Sequence, residues 1–232
     1  MKLTVLGCNG PYPGEGGACS GYLLESDDTR VLLDCGTGTL AALTAHLPPE
    51  ELDAIILSHL HYDHMSDMLP LIYRLQGKRR LPVYLPGEPA AVRALLDGAF
   101  DLRDISQGGR IGSLTLKTLP VRHPVPCYAL RLETDDKAFC YTGDTNTCEA
   151  LPAFAADCDL LLADGCFTDA LWAENKPHMS ARLAAETAVS ARARRLMLTH
   201  FTPGIPQQTL LEEGRAAFPG AVLAVPGLEL EF

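Results

Sequence analysis

The chain has 232 residues, of which 47% are hydrophobic and 21% charged, and a formal net charge of −10. This length allows one large domain or two small ones, and the composition is that of an ordinary globular protein. The acidic balance disfavours a structured nucleic acid as partner, because phosphates are bound through Lys and Arg, and no apolar run approaches the ~20 residues that span a bilayer.

The opening MKLTVLG bears on the location of the protein. One Lys and a short apolar stretch before Gly and Pro are typical of a first strand and match a signal peptide poorly. We therefore expect a cytoplasmic protein without a membrane segment, in which the eight scattered cysteines stay reduced. The basic run GKRR at 77–80 is the one local candidate for a polyanion contact, and a solvated loop is the simpler interpretation.

Short β-prone runs dominate the first third of the chain, and helical spacing interrupts them. The pattern predicts strands over 2–7, 20–26, 29–36, 52–59 and 81–87. It predicts helices over 38–47, 66–77 and 88–100. Ser66 is the predicted N-cap of the second of these helices, and Gly77 ends it.

The second half repeats this order of strands followed by alternating helices and strands. Strands are predicted over 112–121, 127–134, 137–144, 158–165, 194–201 and within 221–232, and helices over 148–157, 180–193 and 206–218. No linker or low-complexity segment divides the chain. We therefore expect a single domain over 1–232, with two sheets packed together and helices outside them.

The segment IILSHLHYDHMSD (55–67) places costly polar groups directly behind an apolar strand. His59, His61 and Asp63 are two residues apart, so they point the same way in an extended segment, and His64 follows. Imidazole and carboxylate groups are good zinc ligands. Without a metal, such a cluster would carry like-charge and desolvation costs, so the segment predicts a metal site.

Further candidate ligands lie at the ends of other predicted strands. His123, Asp144 and His200 each close an apolar run, as Asp34 and Asp164 do. Sites tend to be built where strands end on one edge of a sheet. A lone strand-end histidine is more often a hydrogen-bonded structural residue, and His46, which lies in a predicted helix before two prolines, keeps that interpretation.

These motifs together resemble those of the metallo-β-lactamase superfamily. HLHYDH (59–64) matches its H-x-H-x-D-H signature, and YTGDT (141–145) and LTHF (198–201) resemble its later ligand motifs. LGCNGPYPGEGGACSGYLLE and LLDCGTGT resemble its ribonuclease Z-like branch, so the resemblance spans nearly the whole chain. It implies an α/β fold, a four-layer αββα sandwich, with the site along one edge between the two sheets.

The resemblance also implies a set of seven metal ligands. His59, His61 and His123 would bind one metal ion, and Asp63, His64 and His200 the other, with Asp144 as the bridge. The flavodiiron members carry Glu at the second position of the signature. Because His61 stands there, two zinc ions are the better expectation, with manganese or iron as alternatives.

Two aspartates outside the ligand set are expected to support it. The position of Asp34 in LLDCG suggests that it orients a ligand histidine, and Asp164 in LLADGCF is expected to orient His178 or a neighbour. Both aspartates could instead cap turns. The Gly-rich stretch PYPGEGGACSG (11–21) could shape the pocket, or serve only as a tight connection.

The expected reaction is hydrolysis, with Asp63 and His178 as its catalytic residues. Two metal ions lower the pKa of a water held between them from ~15.7 towards ~7, which makes a hydroxide nucleophile. KPHMSARL (176–183) resembles the motif with which ribonuclease Z-like phosphodiesterases contact the scissile phosphate and protonate the leaving oxygen. The start of a helix also suits an anion. His178 could alternatively be only a helix cap.

The expected substrate is a small phosphodiester, such as a cyclic nucleotide or a cyclic ribose phosphate. Ribonuclease Z proper carries a tRNA-binding arm between the third histidine motif and the bridging aspartate. Here the stretch from His123 to Asp144 is filled by a plain hairpin, CYALRLETDDKAFCY. A homodimer is expected from relatives alone.

Several functional alternatives remain open. The first is a lactone or thioester hydrolase of the same fold, and the second is a tRNA 3′-end endonuclease that lacks the arm. A metal-binding protein without enzymatic activity and an accessory protein of cofactor biosynthesis are the others. The complete ligand set weighs against the metal-binding protein.

Overall fold

Two β-sheets of seven strands each form the centre of the fold. The computed structural model describes all residues from 1 to 232. With strands numbered in chain order, the first sheet runs β14 (Glu229–Glu231), β1 (Lys2–Gly7), β2 (Gly21–Ser26), β3 (Thr29–Leu33), β4 (Ala54–Ile56), β5 (Pro82–Leu85), β6 (Asp101–Asp104). The second sheet runs β13 (Val222–Leu223), β12 (Leu196–Thr199), β11 (Leu160–Asp164), β10 (Ala138–Tyr141), β9 (Tyr128–Glu133), β8 (Leu114–Pro120), β7 (Gly109–Ile111).

Seven α-helices accompany the sheets. They are α1 (Thr39–Thr44), α2 (Tyr62–Met65), α3 (Met68–Leu75), α4 (Ala90–Arg93), α5 (Leu151–Phe154), α6 (Ala181–Ser190) and α7 (Gln207–Ala217). The side chain of Ser180 caps α6 by accepting a hydrogen bond from the Leu183 amide. Helix α6 packs against β11, β12 and α7. No helix combines the length and the apolar character that a bilayer crossing needs.

Alternating side chains of the first sheet serve two different cores. In β2, Leu23 belongs to the apolar cluster that includes Leu43 of α1 and Leu71 of α3. Its neighbour Leu24 belongs to the cluster that includes Leu130 of β9. Successive residues of a strand point to opposite faces, so the sheet is covered by helices on one face and by the second sheet on the other. The predicted four-layer αββα sandwich is therefore confirmed.

Both sheets have a parallel half, which determines where the polar residues lie. Strands β3 to β6 pair in parallel, as do β10 to β13. The carboxyl ends of parallel strands share one edge of their sheet. The residues at or just beyond those ends are Asp34, His59, Asp144, Asp164 and His200.

The structure corrects the predicted helix over 66–77. Helix α2 ends before Ser66 and α3 begins after Asp67, so Ser66 caps neither helix as an N-cap. Its hydroxyl instead donates to the Tyr62 carbonyl at 2.5 Å, because a serine can bond back to the carbonyl four residues earlier. The sequence pattern does not predict the edge strands β6 and β7. Their residues are mostly exposed and lack apolar alternation.

The arginines of the basic run GKRR (77–80) donate hydrogen bonds to neighbouring loops. Arg79 donates to the carbonyls of Glu50 and Leu52 at 3.1 and 3.0 Å, and Arg80 donates to that of Phe100 at 2.9 Å. These bonds hold neighbouring loops together, which agrees with the simpler interpretation of GKRR. All eight cysteines are free thiols.

Candidate metal centre

Strand β4 delivers the histidine-rich segment to the sheet edge. The backbone is still extended at His61, with φ −71° and ψ 151°, and then turns into α2. The extended part brings the rings of His59 and His61 within 4.7 Å of each other. The first turn of α2 then supplies Asp63 and His64, which are both buried.

Three histidines converge with one oxygen of Asp144. The Nδ1 atom of His61 lies 3.0 Å from Nε2 of His59 and 3.1 Å from Nε2 of His123. The Asp144 Oδ2 atom lies 3.6 Å from Nε2 of His59. Ligand atoms about 2.0–2.1 Å from a tetrahedral zinc ion lie about 3.3 Å apart, so this spacing suits one ion.

A second group of ligand atoms shares the same carboxylate. The Asp144 Oδ2 atom lies 3.2 Å from Nε2 of His64 and 3.1 Å from Nε2 of His200. The Asp63 Oδ2 atom lies 3.2 Å from His200 Nε2 and 3.6 Å from His64 Nε2. The structure thus brings together all seven predicted ligands, in two groups that meet at Asp144.

Unpartnered polar atoms indicate that these groups fit metal ions. The Nε2 atom of His64 and the Oδ1 atom of Asp144 are buried and have no hydrogen-bond partner. A buried polar atom without a partner costs about 1–3 kcal/mol, and more when it is charged. Nitrogen and carboxylate donors at this spacing are the ones that divalent zinc takes, so the residues fit a pair of metal ions.

The protonation states of several ligands also suit a cation. Burial and then the neighbouring His64 hold the pKa of His59 well below its ordinary value, and burial lowers the pKa of His123 to about 4. Burial alone would raise the pKa of Asp144, but the nearby histidines, His200 foremost, hold it well below the usual range. Neutral imidazoles and an ionised carboxylate are the forms that bind metal.

Asp34 lies behind the ligands rather than among them. Its Oδ2 atom accepts hydrogen bonds from Nδ1 of His64 at 2.8 Å, the Tyr141 hydroxyl at 2.8 Å and the Ser58 hydroxyl at 2.9 Å. The Ser58 hydroxyl can in turn accept from Nδ1 of His59 at 3.1 Å. These bonds leave the Nε2 atoms of both histidines free to face a metal.

Asp164 makes the corresponding contact with His178. Its Oδ2 atom accepts from Nδ1 of His178 at 2.7 Å and from the Thr145 amide at 3.0 Å. The His178 ring stacks on His200 with 4.6 Å between centroids. Burial alone would lower the pKa of His178, but the charge and hydrogen bond of Asp164 raise it to about 9. The contact with Asp164 therefore favours the protonated form of an imidazole that lies beside the candidate metal ligands.

The backbone approaches two of these residues so closely that only glycine fits. A Cβ atom on Gly10 would lie 2.0 Å from Nε2 of His200, and one on Gly36 would lie 1.9 Å from the Asp63 carbonyl oxygen. Gly10 leads into the predicted loop 11–21, so this loop begins against a candidate ligand.

The sequence patterns do not identify some residues that surround the candidate metal centre. One histidine, His46, lies outside the centre. Ser58, Tyr141 and Asn146 were not singled out, although they stand within two residues of His59 or within three of Asp144, and that proximity is the signal that could have found them. His46 lies elsewhere, 3.6 Å from Glu229, as its structural interpretation implies.

Comparisons with known proteins agree with this geometry. Residues 29–201 match the family model described as "Beta-lactamase superfamily domain". The chain is 33% identical to the probable metallo-hydrolase YhfI of Bacillus subtilis, with 96% of each chain covered. It is 29% identical to a ribonuclease Z of Methanopyrus kandleri, with 98% of this chain and 96% of the relative covered.

Solved structures give the same result. The crystal structure of YhfI superposes with a TM-score of 0.92 at 32% identity, and the match covers 99% of this chain and 98% of YhfI. The short form of human tRNase Z superposes with a TM-score of 0.79 at 21% identity, covering 100% and 99% of the two chains, which shows a shared fold. The chain therefore belongs to the beta-lactamase superfamily, as a metal-dependent hydrolase of the metallo-β-lactamase fold.

Proposed function

We propose that this hydrolase cleaves small phosphodiesters, such as cyclic nucleotides or cyclic ribose phosphates, with two zinc ions as its metals and manganese or iron as alternatives. One ion would be held by the group of His59, His61 and His123, and the other by the group of Asp63, His64 and His200. The Asp144 carboxylate would join the two.

The metal ions, Asp63 and His178 would have different roles in the reaction. Two bound divalent ions supply the acidity that activates a water molecule and the positive charge that a phosphoryl oxygen requires. Besides binding metal, Asp63 could act as a base. Its Oδ2 atom lies 3.2 Å from Nε2 of His200, and a carboxylate in this position can orient a water molecule or accept its proton. His178 offers a proton from an imidazolium that Asp164 keeps charged.

The observation that carries the proposal is the contact of His178 with Asp164. Hydrolysis of a diester needs a proton for the leaving oxygen. A general acid must be protonated at the working pH and works best when its pKa lies near that pH. A charged imidazole also attracts the anionic diester. A helix cap would need neither the buried carboxylate nor the ring stacking on His200, and the cap of α6 is Ser180.

The segment between His123 and Asp144 supports a small substrate. It forms the β9–β10 hairpin, whose strands pair from Ala138–Glu133 to Tyr141–Leu130, and no arm extends from it. The net charge of −10 also opposes a large polyanion. The relative from Methanopyrus kandleri is named a ribonuclease Z, which supports diester chemistry.

The test is the initial rate on bis(4-nitrophenyl) phosphate with protein loaded with two equivalents of zinc. We expect turnover that disappears with chelator and with His123→Ala, and that persists with His46→Ala, a histidine outside the centre. A fully metallated protein that leaves the diester intact but hydrolyses a lactone or a thioester would overturn the proposal in favour of that alternative. A screen of cyclic nucleotides and cyclic ribose phosphates follows the positive result.

A further inference from the structure

Asn146 lies two residues after Asp144, is fully buried and makes contacts that the metal centre does not explain. Its Nδ2 atom donates to the Lys176 carbonyl at 2.7 Å and lies 3.3 and 3.4 Å from the carbonyls of Glu174 and Ala173. One side-chain amide thus contacts three backbone carbonyls of an irregular segment, residues 172–178, which we call the Trp172 loop.

The oxygen of the Asn146 side-chain amide also accepts hydrogen bonds. Its Oδ1 atom accepts from the Thr147 amide at 2.7 Å and from the indole Nε1 of Trp172 at 3.2 Å. Carbonyls on one side and N–H groups on the other determine the orientation of the amide. No other residue type of this size offers two donors and an acceptor together, so the contacts are specific to asparagine.

The middle of the Trp172 loop, residues 173–176, is otherwise held mainly by contacts at the surface. It contains no helix or strand, and Glu174, Asn175 and Lys176 are exposed. Arg122 forms an ion pair with Glu174 at the surface and donates to the Glu174 carbonyl at 2.6 Å. Exposed ion pairs contribute only about 0–1 kcal/mol. The hydrogen bonds of Asn146 differ from these surface contacts because they come from a fully buried side chain.

The end of the loop contacts the centre at two points. The Pro177 carbonyl accepts from Nδ1 of His123 at 3.2 Å, which directs Nε2 of that histidine towards His61. The next residue is His178. The backbone amide of Asn146 also donates to the Arg122 carbonyl at 3.0 Å, directly before His123. Asn146 thereby joins the segments that carry Asp144, His123 and His178.

We propose that Asn146 is a positioning residue, which holds the Trp172 loop so that Pro177 orients His123 and His178 stands at the reacting phosphate. The catalytic part of this inference rests on the proposed phosphodiesterase function, whereas the anchoring of the loop does not. Catalytic groups must be held within about 0.5 Å of their productive geometry, and a displacement of about 1 Å can cost roughly 10²-fold in rate.

The first experiment measures the loop without measuring activity. Trp172 is the single tryptophan of the chain, so its fluorescence reports on this loop alone. Asn146→Asp keeps the size of the side chain and an acceptor for the indole, but replaces the donors with oxygen facing three carbonyls. We expect a red-shifted emission, stronger acrylamide quenching and faster amide hydrogen exchange over 172–178. Asn175→Asp makes the same change on the exposed side of the loop and should alter none of these.

The second experiment separates positioning from stability. Zinc-loaded Asn146→Asp and wild type are compared on two methyl phosphodiesters that differ only in a phenolate or a 4-nitrophenolate leaving group. If His178 is misplaced, kcat should fall about 10–100-fold for the phenolate ester and clearly less for the nitrophenolate ester, which needs less protonation. A variant that is merely less stable loses the same fraction on both. Asn146→Ala, which buries no charge, serves if the aspartate variant does not fold.

The outcomes are distinct. Unchanged fluorescence and hydrogen exchange in a folded variant would overturn the anchoring role of Asn146. A loosened loop with equal losses on both esters would reduce Asn146 to a structural residue and overturn the positioning role. If wild type itself leaves both esters intact, the proposed function fails, while the fluorescence result still decides whether Asn146 anchors the loop.

Discussion

The Asp34 carboxylate accepts a hydrogen bond from Nδ1 of His64 at 2.8 Å, inside a region that excludes water from both residues. Burial opposes a charge on His64, but Asp144 and Asp34 hold its pKa well above the ordinary value. A cation at the unpartnered Nε2 atom can take the place of that proton. The contact with Asp34 therefore both orients the ring and makes its nitrogen a stronger ligand.

Replacement of Asp34 should weaken metal binding. Asn is tolerated at the left-handed backbone of this residue, φ 55°, so Asp34→Asn tests the charge and not the turn. We expect the affinity for one of the two metal equivalents to fall about 10–100-fold in a chelator competition titration. Tyr141→Phe removes another bond to the same oxygen and should have a smaller effect. Equal affinities in wild type and Asp34→Asn would contradict the role of Asp34.

Removal of the His178 imidazole should lower diester turnover without releasing metal. His178→Ala is expected to reduce kcat on a diester by roughly 10²-fold, the usual contribution of a general acid. Bound zinc, measured by atomic absorption after gel filtration, should remain at the wild-type level. If the alanine variant keeps full diester turnover, His178 is not the proton donor.

Replacement of Asp164 should change the pH dependence of turnover. The raised pKa of His178, about 9, means that its acid form dominates below that pH and is lost above it. Bound cations lower this value, so the decline of activity in the loaded enzyme should begin below pH 9. Asp164→Asn removes the main source of the raised pKa and should move the decline to lower pH.

A matched control exists for Asp164. Asp159 precedes β11, at the opposite end of the strand that Asp164 closes, and its carboxylate binds the Ala138 amide and Arg194. Asp159→Asn should leave the pH profile unchanged, although it removes a buried carboxylate as well. The same shift in both variants would show that the profile reports general stability.

A methyl group at Gly10 should disrupt the centre. The added Cβ in Gly10→Ala would lie 2.0 Å from Nε2 of His200, so the ring must move away from Asp63 and Asp144. We expect the variant to retain one metal equivalent or fewer and to lose activity. Gly87→Ala is the control, because its Cβ meets open space. Two tightly bound equivalents in Gly10→Ala would show that His200 is not a ligand.

Sequence reasoning located the seven clustered candidate ligands because each obeys a local rule. His59, His61 and Asp63 are close in the chain, so their spacing alone brings them together once the strand is extended. His200 ends a strand of the parallel half of the second sheet, and the carboxyl ends of such strands share one edge. His123 follows β8, which reaches the same edge because two antiparallel pairings, with β9 between, give β8 the direction of β10. The pattern of strands and helices predicts two packed sheets with helices outside, and the resemblance to the superfamily implies the four αββα layers. In the structure, Leu23 and Leu24 face different cores.

Local sequence patterns thus predict most of the strands, though not β6 and β7, together with the polar residues at the strand ends and the short connection between His123 and Asp144. The sequence suggests that Asp34 supports a ligand histidine, but the fold shows that this histidine is His64 and that Tyr141 and Ser58 share the carboxylate. Asp34 and Tyr141 are 107 residues apart and meet on one oxygen, and Asn146 reaches Lys176 across 30 residues. Such contacts depend on the register between strands and on the packing of two sheets. The residues in these contacts are far apart in the chain, so no local sequence pattern shows that they meet.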